Sequence, residues 1–431
     1  MELVKKATNY IIDNKNKVNQ TYRSKYHMEP TVGWMNDPNG LIFVDGEFHL
    51  FYQSNVYDSR PSDMAWGHFI SKDLVKYVET DIALYPDGKE KGETGCFSGS
   101  SFIENNEMKF VYTKHYEGET VEKNLETQFI CKTKDKIHFI KDASPCIDEN
   151  ELPDYVSTTE IRDPQIFEFE GKCYLILGGR TTDHRGLIIV YSGKDSTSLH
   201  FDFIIGPFEE TYCMVECPSF VTVDGKDVIV YSAYRNGPSN GVYYIIGEFR
   251  PEDKTFDILA KGELDFADAF YAPKLIENYE VPTILGWLEN WNKKHVTHEL
   301  NHHWVGSFSF PRVLSIKDNE LYQNFHHVIY SYCVNEEKIT SGDISRASLV
   351  SFAFKGDFSL VLEGLDGGLT LYSKDGFILL DTLKANNMTG MVFKSRKQYE
   401  QGNISFLLDT SSIEIFICEG RETISTRFYI L

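Results

Sequence analysis

Hydrophobic and polar positions alternate in short runs along most of this chain, and the runs come in pairs. Residues 41–44 and 47–52 flank Asp45-Gly46, and 101–103 and 108–112 flank Asn105-Asn106. Residues 165–169 and 173–177 flank Glu170-Gly171, and 220–223 and 228–231 flank Asp224-Gly225. A fifth, weaker pair, 273–276 and 282–285, flanks Asn278-Tyr279. Each pair reads as strand, tight turn, strand. A period of two suits a half-buried strand, and Asn, Asp and Gly tolerate the backbone of a two-residue hairpin. The hairpins begin near residues 41, 101, 165, 220 and 273. Self-similarity at nearly even, long spacing predicts a propeller, with one such hairpin in each of five blades.

The flanking regions follow other periods. Leu3, Val4, Ala7, Tyr10, Ile11 and Val18 recur near helical spacing among polar residues. They predict a short amphipathic helix packed on the main body. From residue 341 onward, eight alternating segments (348–354, 359–362, 369–372, 377–380, 391–394, 404–408, 413–418 and 423–429) are separated by turn signals. They predict an antiparallel β-sandwich. The stretch between is mixed and charged and reads as a linker. The expected fold is therefore all-β with one short N-terminal helix. Its expected parts are a helical extension over 1–22, a propeller over 23–314, a linker over 315–340 and a sandwich over 341–431.

What precedes each hairpin carries the chemistry. Asp37-Pro38 lies before the first, Phe97-Ser98-Gly99-Ser100 before the second and Arg162-Asp163-Pro164 before the third. Glu216-Cys217-Pro218 lies before the fourth, and Tyr271-Ala272-Pro273 opens the fifth. In a propeller the matching ends of the innermost strands meet around one end of the central channel. Asp37, Asp163 and Glu216 are therefore expected to face one pocket. Turn chemistry alone does not put an acid before three separate hairpins. Pro38 fixes a backbone dihedral just after Asp37, and Asn39-Gly40 is turn chemistry, so this acid is held at a bend beside Trp34.

Composition narrows the class. Of 431 residues, 42% are hydrophobic and 25% charged, which fits a globular protein with a real core. Aromatic residues reach 14%, which suits strands and also sugar-binding faces. A net charge of −21 argues against nucleic acid and anionic membrane partners. No apolar run is long enough to span a membrane, and the N-terminal stretch lacks a signal peptide's apolar core. The eight cysteines are scattered without a Cys-x-x-Cys pair, so they are expected to be free thiols in a reducing cytoplasm. His295, His298, His302 and His303 cluster locally, but the spacing lacks a metal-binding pattern, and neither a metal nor another cofactor is expected.

The stretch Gly33-Trp34-Met35-Asn36-Asp37-Pro38-Asn39-Gly40 resembles the nucleophile motif of the family 32 glycoside hydrolases, the invertases, fructanases and sucrose-6-phosphate hydrolases. The resemblance runs over nearly the whole chain and implies a five-bladed propeller plus sandwich. It implies Asp37 as nucleophile, Glu216 as acid/base and Asp163 as the stabiliser gripping fructose hydroxyls. Retaining hydrolysis asks for two carboxyl groups about 5 Å apart, one attacking the sugar and one protonating the leaving oxygen. The acid/base then needs a raised pKa, whereas Asp37 should stay ionised beside donors such as Asn36.

By the same resemblance Gln53 meets a sugar hydroxyl and Trp66 lies against the sugar. Phe97 and Ser98 form a fructose-contacting loop, Tyr271 stands near the acid/base, and Trp287 is a late pocket aromatic. Trp34, Asn36 and Arg162 complete the expected sugar-binding set. Phe308-Ser309-Phe310-Pro311-Arg312, Glu414-Ile415-Phe416 and Thr426-Arg427-Phe428-Tyr429 resemble later family landmarks. Departures are Ile161, Val215, Ser219 and Ser54-Asn55-Val56, and Lys274 stands where Gln is usual. They leave open the shape of the leaving-group side.

The implied function is a cytoplasmic retaining β-fructofuranosidase acting on sucrose or sucrose-6-phosphate. An exo-acting fructanase on inulin or levan oligosaccharides, a fructosyltransferase and a non-catalytic carbohydrate-binding propeller are the alternatives. The partner is a small sugar, and a homo-oligomer is left open.

Overall fold

The computed structural model describes residues 2–120, 123–208, 213–234, 240–333, 335–336, 347–363, 368–385 and 388–430. Its first element is a helix, Glu2–Asn14, which buries Ala7 and Ile11. These pack with Val32, Val56, Ile82 and Trp304 on the side of the first blade. The helical period expected from the apolar spacing is thus used to dock the N-terminus.

Five antiparallel sheets follow, each opened by its innermost strand. Those strands are Gly33–Val44, Gly95–Glu104, Val156–Phe169, Met214–Val223 and Tyr271–Leu275. Each touches the next, and the fifth touches the first, so the sheets close into a ring. Closure is reinforced by Trp304–Val305, which pairs in parallel with Gly33 and Trp34 of the first strand. Apolar faces of successive sheets meet. Ile166, Leu175 and Leu177 of the third pack on Phe102 and Val111 of the second. Tyr174 and Ile176 pack on Phe220 and Ile229 of the fourth.

The hairpin turns follow their chemistry. Asp45 and Gly46, Asn105 and Asn106, Glu170 and Gly171, and Asp224 and Gly225 all have positive φ. That is the primed turn whose twist matches the flanking strands. The fifth hairpin has a longer loop between Tyr271–Leu275 and Thr283–Trp287, with Asn278 at positive φ.

One sequence expectation is corrected. Residues 315–325 are not linker. Arg312–Lys317 and Glu320–Phe325 are the two outer strands of the fifth sheet. They are joined at Asp318 and Asn319, both at positive φ. The hairpin escaped notice because its polar positions, Ser315, Lys317 and Gln323, dilute a short apolar alternation. The rest of the expected linker includes residues 337–340, and the expected start of the sandwich at 341 also lies outside the described residues.

The C-terminal part is two packed sheets. One runs Asn335–Glu336, Ser348–Lys355, Gln401–Leu408, Ser412–Ile417, Glu422–Arg427; the other runs Ser359–Glu363, Leu369–Lys374, Phe377–Asp381, Val392–Lys394. Inward residues such as Val350, Leu360, Leu371, Ile404 and Ile415 form the shared core. The eight strands expected from alternation are all present.

Candidate active site

All five innermost strands break their pairing register at the same level. The irregularities fall between Met35 and Pro38, Cys96 and Gly99, Arg162 and Gln165, Glu216 and Ser219, and Tyr271 and Lys274. A bulge re-aims side chains, and here five bulges re-aim them toward one end of the channel. Asp163, Cys217 and Ala272 each have positive φ before a proline. They are equivalent positions of three successive blades. Asp163 therefore matches Cys217, while Glu216 matches Arg162 and Tyr271 one residue earlier. The acids converge as expected, but Asp163 and Glu216 are offset by one residue in the bulge.

That offset creates two layers. In the upper layer Arg162 donates through Nε and Nη2 to Glu216 Oε1, at 3.1 and 2.7 Å. Its Nη1 donates to Glu126 Oε1 at 3.0 Å. Tyr271 donates its hydroxyl to Glu216 Oε2. In the lower layer the Cys217 amide donates to Asp163 Oδ2 at 3.0 Å. The Cys217 thiol lies 3.3 Å from Asp163 Oδ2 and 3.8 Å from Asp37 Oδ2, between the two acids. Asp37 accepts from Asn36 Nδ2 at 3.0 Å and from Ser98 Oγ at 2.9 Å. Asn36 is itself held by Trp34 Nε1, at 2.6 Å. Gly178 lets the third blade approach the fourth beneath this network, since a Cβ there would lie 2.2 Å from the Val215 carbonyl oxygen.

These groups open onto a cavity of about 730 Å³, lined among others by Asn36, Asp37, Gln53, Phe97, Ser98, Arg162, Asp163 and Glu216. Gln53 is buried, donates to the Cys96 carbonyl and leaves its Oε1 without a partner. Trp34, Trp66, Tyr271 and Trp287 stand behind this wall, all at or below 1% exposure. Trp34 and Trp287 pack on Trp291, and Trp66 Nε1 holds the Phe97 carbonyl at 3.1 Å. The wall also contains residues that sequence reading missed: Trp291, Glu126, Glu160, Arg180 and His184. Arg180 pairs with Glu160 and contacts His184. No motif marks these residues: Glu126, Glu160 and Arg180 lie in blade strands away from the Pro-containing bulges, and His184 and Trp291 lie in loops. Three of the clustered histidines have structural partners: His298 bonds Ser59 at 2.7 Å, His302 stacks on Tyr22, and His295 packs edge-on against Trp34 at 4.8 Å.

The electrostatics differ from the simple expectation for Asp37. Burial on its protein side and the neighbouring Asp163 push it up to about 7, outweighing the donors Asn36 and Ser98. Burial also raises Asp163, with Arg162 opposing. Burial and Asp163 raise the Cys217 thiol well above its ordinary value, so it stays a neutral donor. Asp37 and Asp163 each hold the other's carboxyl back from ionising.

The closed ring of five blades falls within the reach of the family comparison. The family model described as the glycosyl hydrolases family 32 N-terminal domain spans residues 27–324. The chain belongs to glycoside hydrolase family 32. It is a glycoside hydrolase of the β-fructofuranosidase type. The matched segment begins at His27 and ends within the last propeller strand, Glu320–Phe325. The sucrose-6-phosphate hydrolase of Escherichia coli is 27% identical over 439 residues, covering 95% of this chain and 90% of that protein. The structure of the Bombyx mori GH32 beta-fructofuranosidase BmSUC1 superposes with a TM-score of 0.86 at 26% identity, covering 100% of this chain and 94% of that one. The sucrose-6-phosphate hydrolase from Lactobacillus gasseri shares the fold at TM-score 0.87 and 24% identity, covering 98% and 92%.

Proposed function

We propose that this family 32 enzyme is a retaining hydrolase of the terminal β-D-fructofuranoside bond of sucrose or sucrose-6-phosphate. The observation that carries the reading is the pairing of two differently held acids in one pocket. Asp37 is fixed by two neutral donors and faces the cavity. Glu216 is clamped by Arg162 and Tyr271 from the equivalent positions of the blades on either side.

In this reading Asp37 attacks the anomeric carbon and forms a covalent fructosyl ester. Glu216 gives its proton to the leaving glucosyl oxygen, then takes one from the water that opens the ester. Asp163 accepts hydrogen bonds from fructose hydroxyls, which polarise as positive charge develops on the ring. Asn36 and Ser98 hold the Asp37 carboxylate in one orientation for attack. Gln53 offers its unpartnered Oε1 to a sugar hydroxyl, and Phe97 gives an aromatic wall. Trp34, Trp66, Tyr271 and Trp287 act from behind, by fixing Asn36, the Phe97 carbonyl, Glu216 and the tryptophan cluster.

A variant of the Bombyx relative is solved in complex with sucrose, which supports a sucrose-type substrate here. For a phosphorylated sugar, Arg180 is the candidate cation in the wall: it is paired with one carboxylate, Glu160, whereas Arg162 is shared by Glu126 and Glu216. The test is kcat/KM for sucrose and for sucrose-6-phosphate, side by side, in the wild type and in Arg180→Gln. A preference of about tenfold or more for the phosphorylated sugar that Arg180→Gln abolishes assigns a phosphate subsite. Equal rates, or faster sucrose turnover, make the enzyme an invertase. No release of fructose from either overturns the reading.

A further inference from the structure

Beneath the acid cluster lies a buried ammonium. Lys274 follows the fifth bulge on Tyr271–Leu275 and is 2% exposed. Its Nζ donates to the carbonyl oxygens of Asp163 at 3.3 Å and Pro218 at 3.4 Å. These two carbonyls belong to the bulges of the third and fourth blades. The bulges themselves are held in left-handed backbone at Asp163 and Cys217. One side chain from the fifth blade therefore ties together the two turns that aim Asp163, Cys217 and Glu216.

A lone buried ammonium is costly unless something offsets it. Among the described residues Lys274 makes no ion pair. Its charge acts on Asp163 of the third blade, Cys217 of the fourth and Glu277 just beyond its own strand, while Arg162, Glu216 and Asp37 in turn act on Asp163 or Cys217. Glu277 accepts from Gln165 Nε2 at 2.8 Å and is pushed up to about 8 by burial, so it is largely protonated at neutral pH. The charge on Lys274 is therefore left facing the carboxylates above it.

We propose that Lys274 is a positioning residue for the fructosidase reaction, acting through Asp163 and the Cys217 turn. It pins the two bulges by their carbonyls, and it supplies the buried positive charge against which the acid cluster ionises. The proposal rests on the catalytic reading of Asp37, Asp163 and Glu216. That reading is checked separately by Asp37→Asn, whose outcome does not depend on Lys274.

The experiment uses the full chain and three variants, with pH profiles of kcat/KM for sucrose or for whichever sugar the wild type turns over. Lys274→Met should lower kcat by about 10- to 100-fold with KM nearly unchanged, and should move the acid limb up by about one pH unit. Lys274→Gln keeps donors for the carbonyls but no charge. It should recover much of kcat while the limb stays displaced. Lys274→Arg should return the limb toward that of the wild type. If Lys274→Met fails to fold, Lys274→Gln carries the test. An unmoved acid limb in Lys274→Gln overturns the proposal, whatever happens to kcat. So does a limb that Lys274→Arg leaves as displaced as Lys274→Gln does.

Discussion

Two of the places where the molecule buries charge behave in opposite ways. In the pocket, Asp37 and Asp163 are driven up from their ordinary carboxylate range. At the junction of propeller and sandwich, Asp409 is held down at about 2 and Glu414 is also lowered. Burial opposes ionisation in both places. What differs is the number of cations. His27 lies 2.7 Å from Asp409 and 2.9 Å from Glu414, and Arg312 reaches both Glu414 and Asp265. In the pocket Arg162 is shared among carboxylates, and the acids crowd one another. A buried carboxylate is stabilising where it is paired and reactive where it is not.

The contrast can be broken from either side. The largest effect is expected in the pocket. Asp37→Asn and Glu216→Gln should each lower kcat by several orders of magnitude, since each group carries many kcal/mol of barrier. Neither should lower the melting temperature much, and Asp37→Asn should raise it, because it removes a poorly compensated acid. A substantial fall in Tm with retained turnover would invert the assignment.

The junction should behave the other way. Glu414→Gln leaves His27 and Arg312 facing a lost counter-charge, and should cost about 3–5 kcal/mol in denaturant unfolding. Turnover per folded molecule should change little. A variant as stable as the wild type would mean that the pairs there merely offset their desolvation.

The two regions also separate by pH. The Asp409 and Glu414 partners raise His27 to about 9 despite its burial. That is above its unfolded value of 6.5, so its stabilisation is whole below pH 6.5 and is lost as pH rises through about 9. Asp409 contributes above pH 3.8, and its part is lost as pH falls through about 2. Asp37 has the reverse sense: its folded value of about 7 makes it cost stability progressively as pH rises from 3.8 to 7. Unfolding free energy measured from pH 6 to 10 should therefore fall on the alkaline side, and His27→Gln should flatten that fall. In kcat/KM, the acid limb should lie near pH 7, set by the joint ionisation of Asp37 and the neighbouring Asp163 in the free enzyme. A limb near pH 4 would mean that Asp37 is better compensated than its surroundings indicate.

The smallest expected effect belongs to the wall. Trp291 stacks on Trp34 at 5.7 Å and lines the cavity. Trp291→Ala should raise KM several-fold, about 1 kcal/mol, with kcat changed less. A larger loss in kcat than in KM would show that Trp291 aligns Asn36 and Asp37 through Trp34.

The sequence by itself determined the repeat, and with it the ring. Paired alternating runs around turn dipeptides define hairpins locally, and five of them in a row leave few other ways to bury their faces. It also marked Asp37, Asp163 and Glu216, because each stands within two residues before the proline that opens its hairpin. The sandwich was legible for the same reason of period. The hairpin at Asp318-Asn319 was not, because its apolar positions are few and its partner strand, Thr283–Trp287, lies beyond a long insertion.

Only the tertiary structure decided what each polar residue faces. The one-residue offset between Asp163 and Glu216 is written in the two motifs, but only ring closure puts Arg162 and Tyr271 on either side of Glu216. Arg312, Glu414 and Arg427 looked like landmarks of the chain's later part. The fold makes them the buried cement between its two parts. Lys274 was a departure from a motif until packing set it under two carbonyls. Period and turn chemistry are local and can be read in order along the chain. Charge compensation depends on distances between residues far apart in sequence, and those distances exist only once the ring is closed.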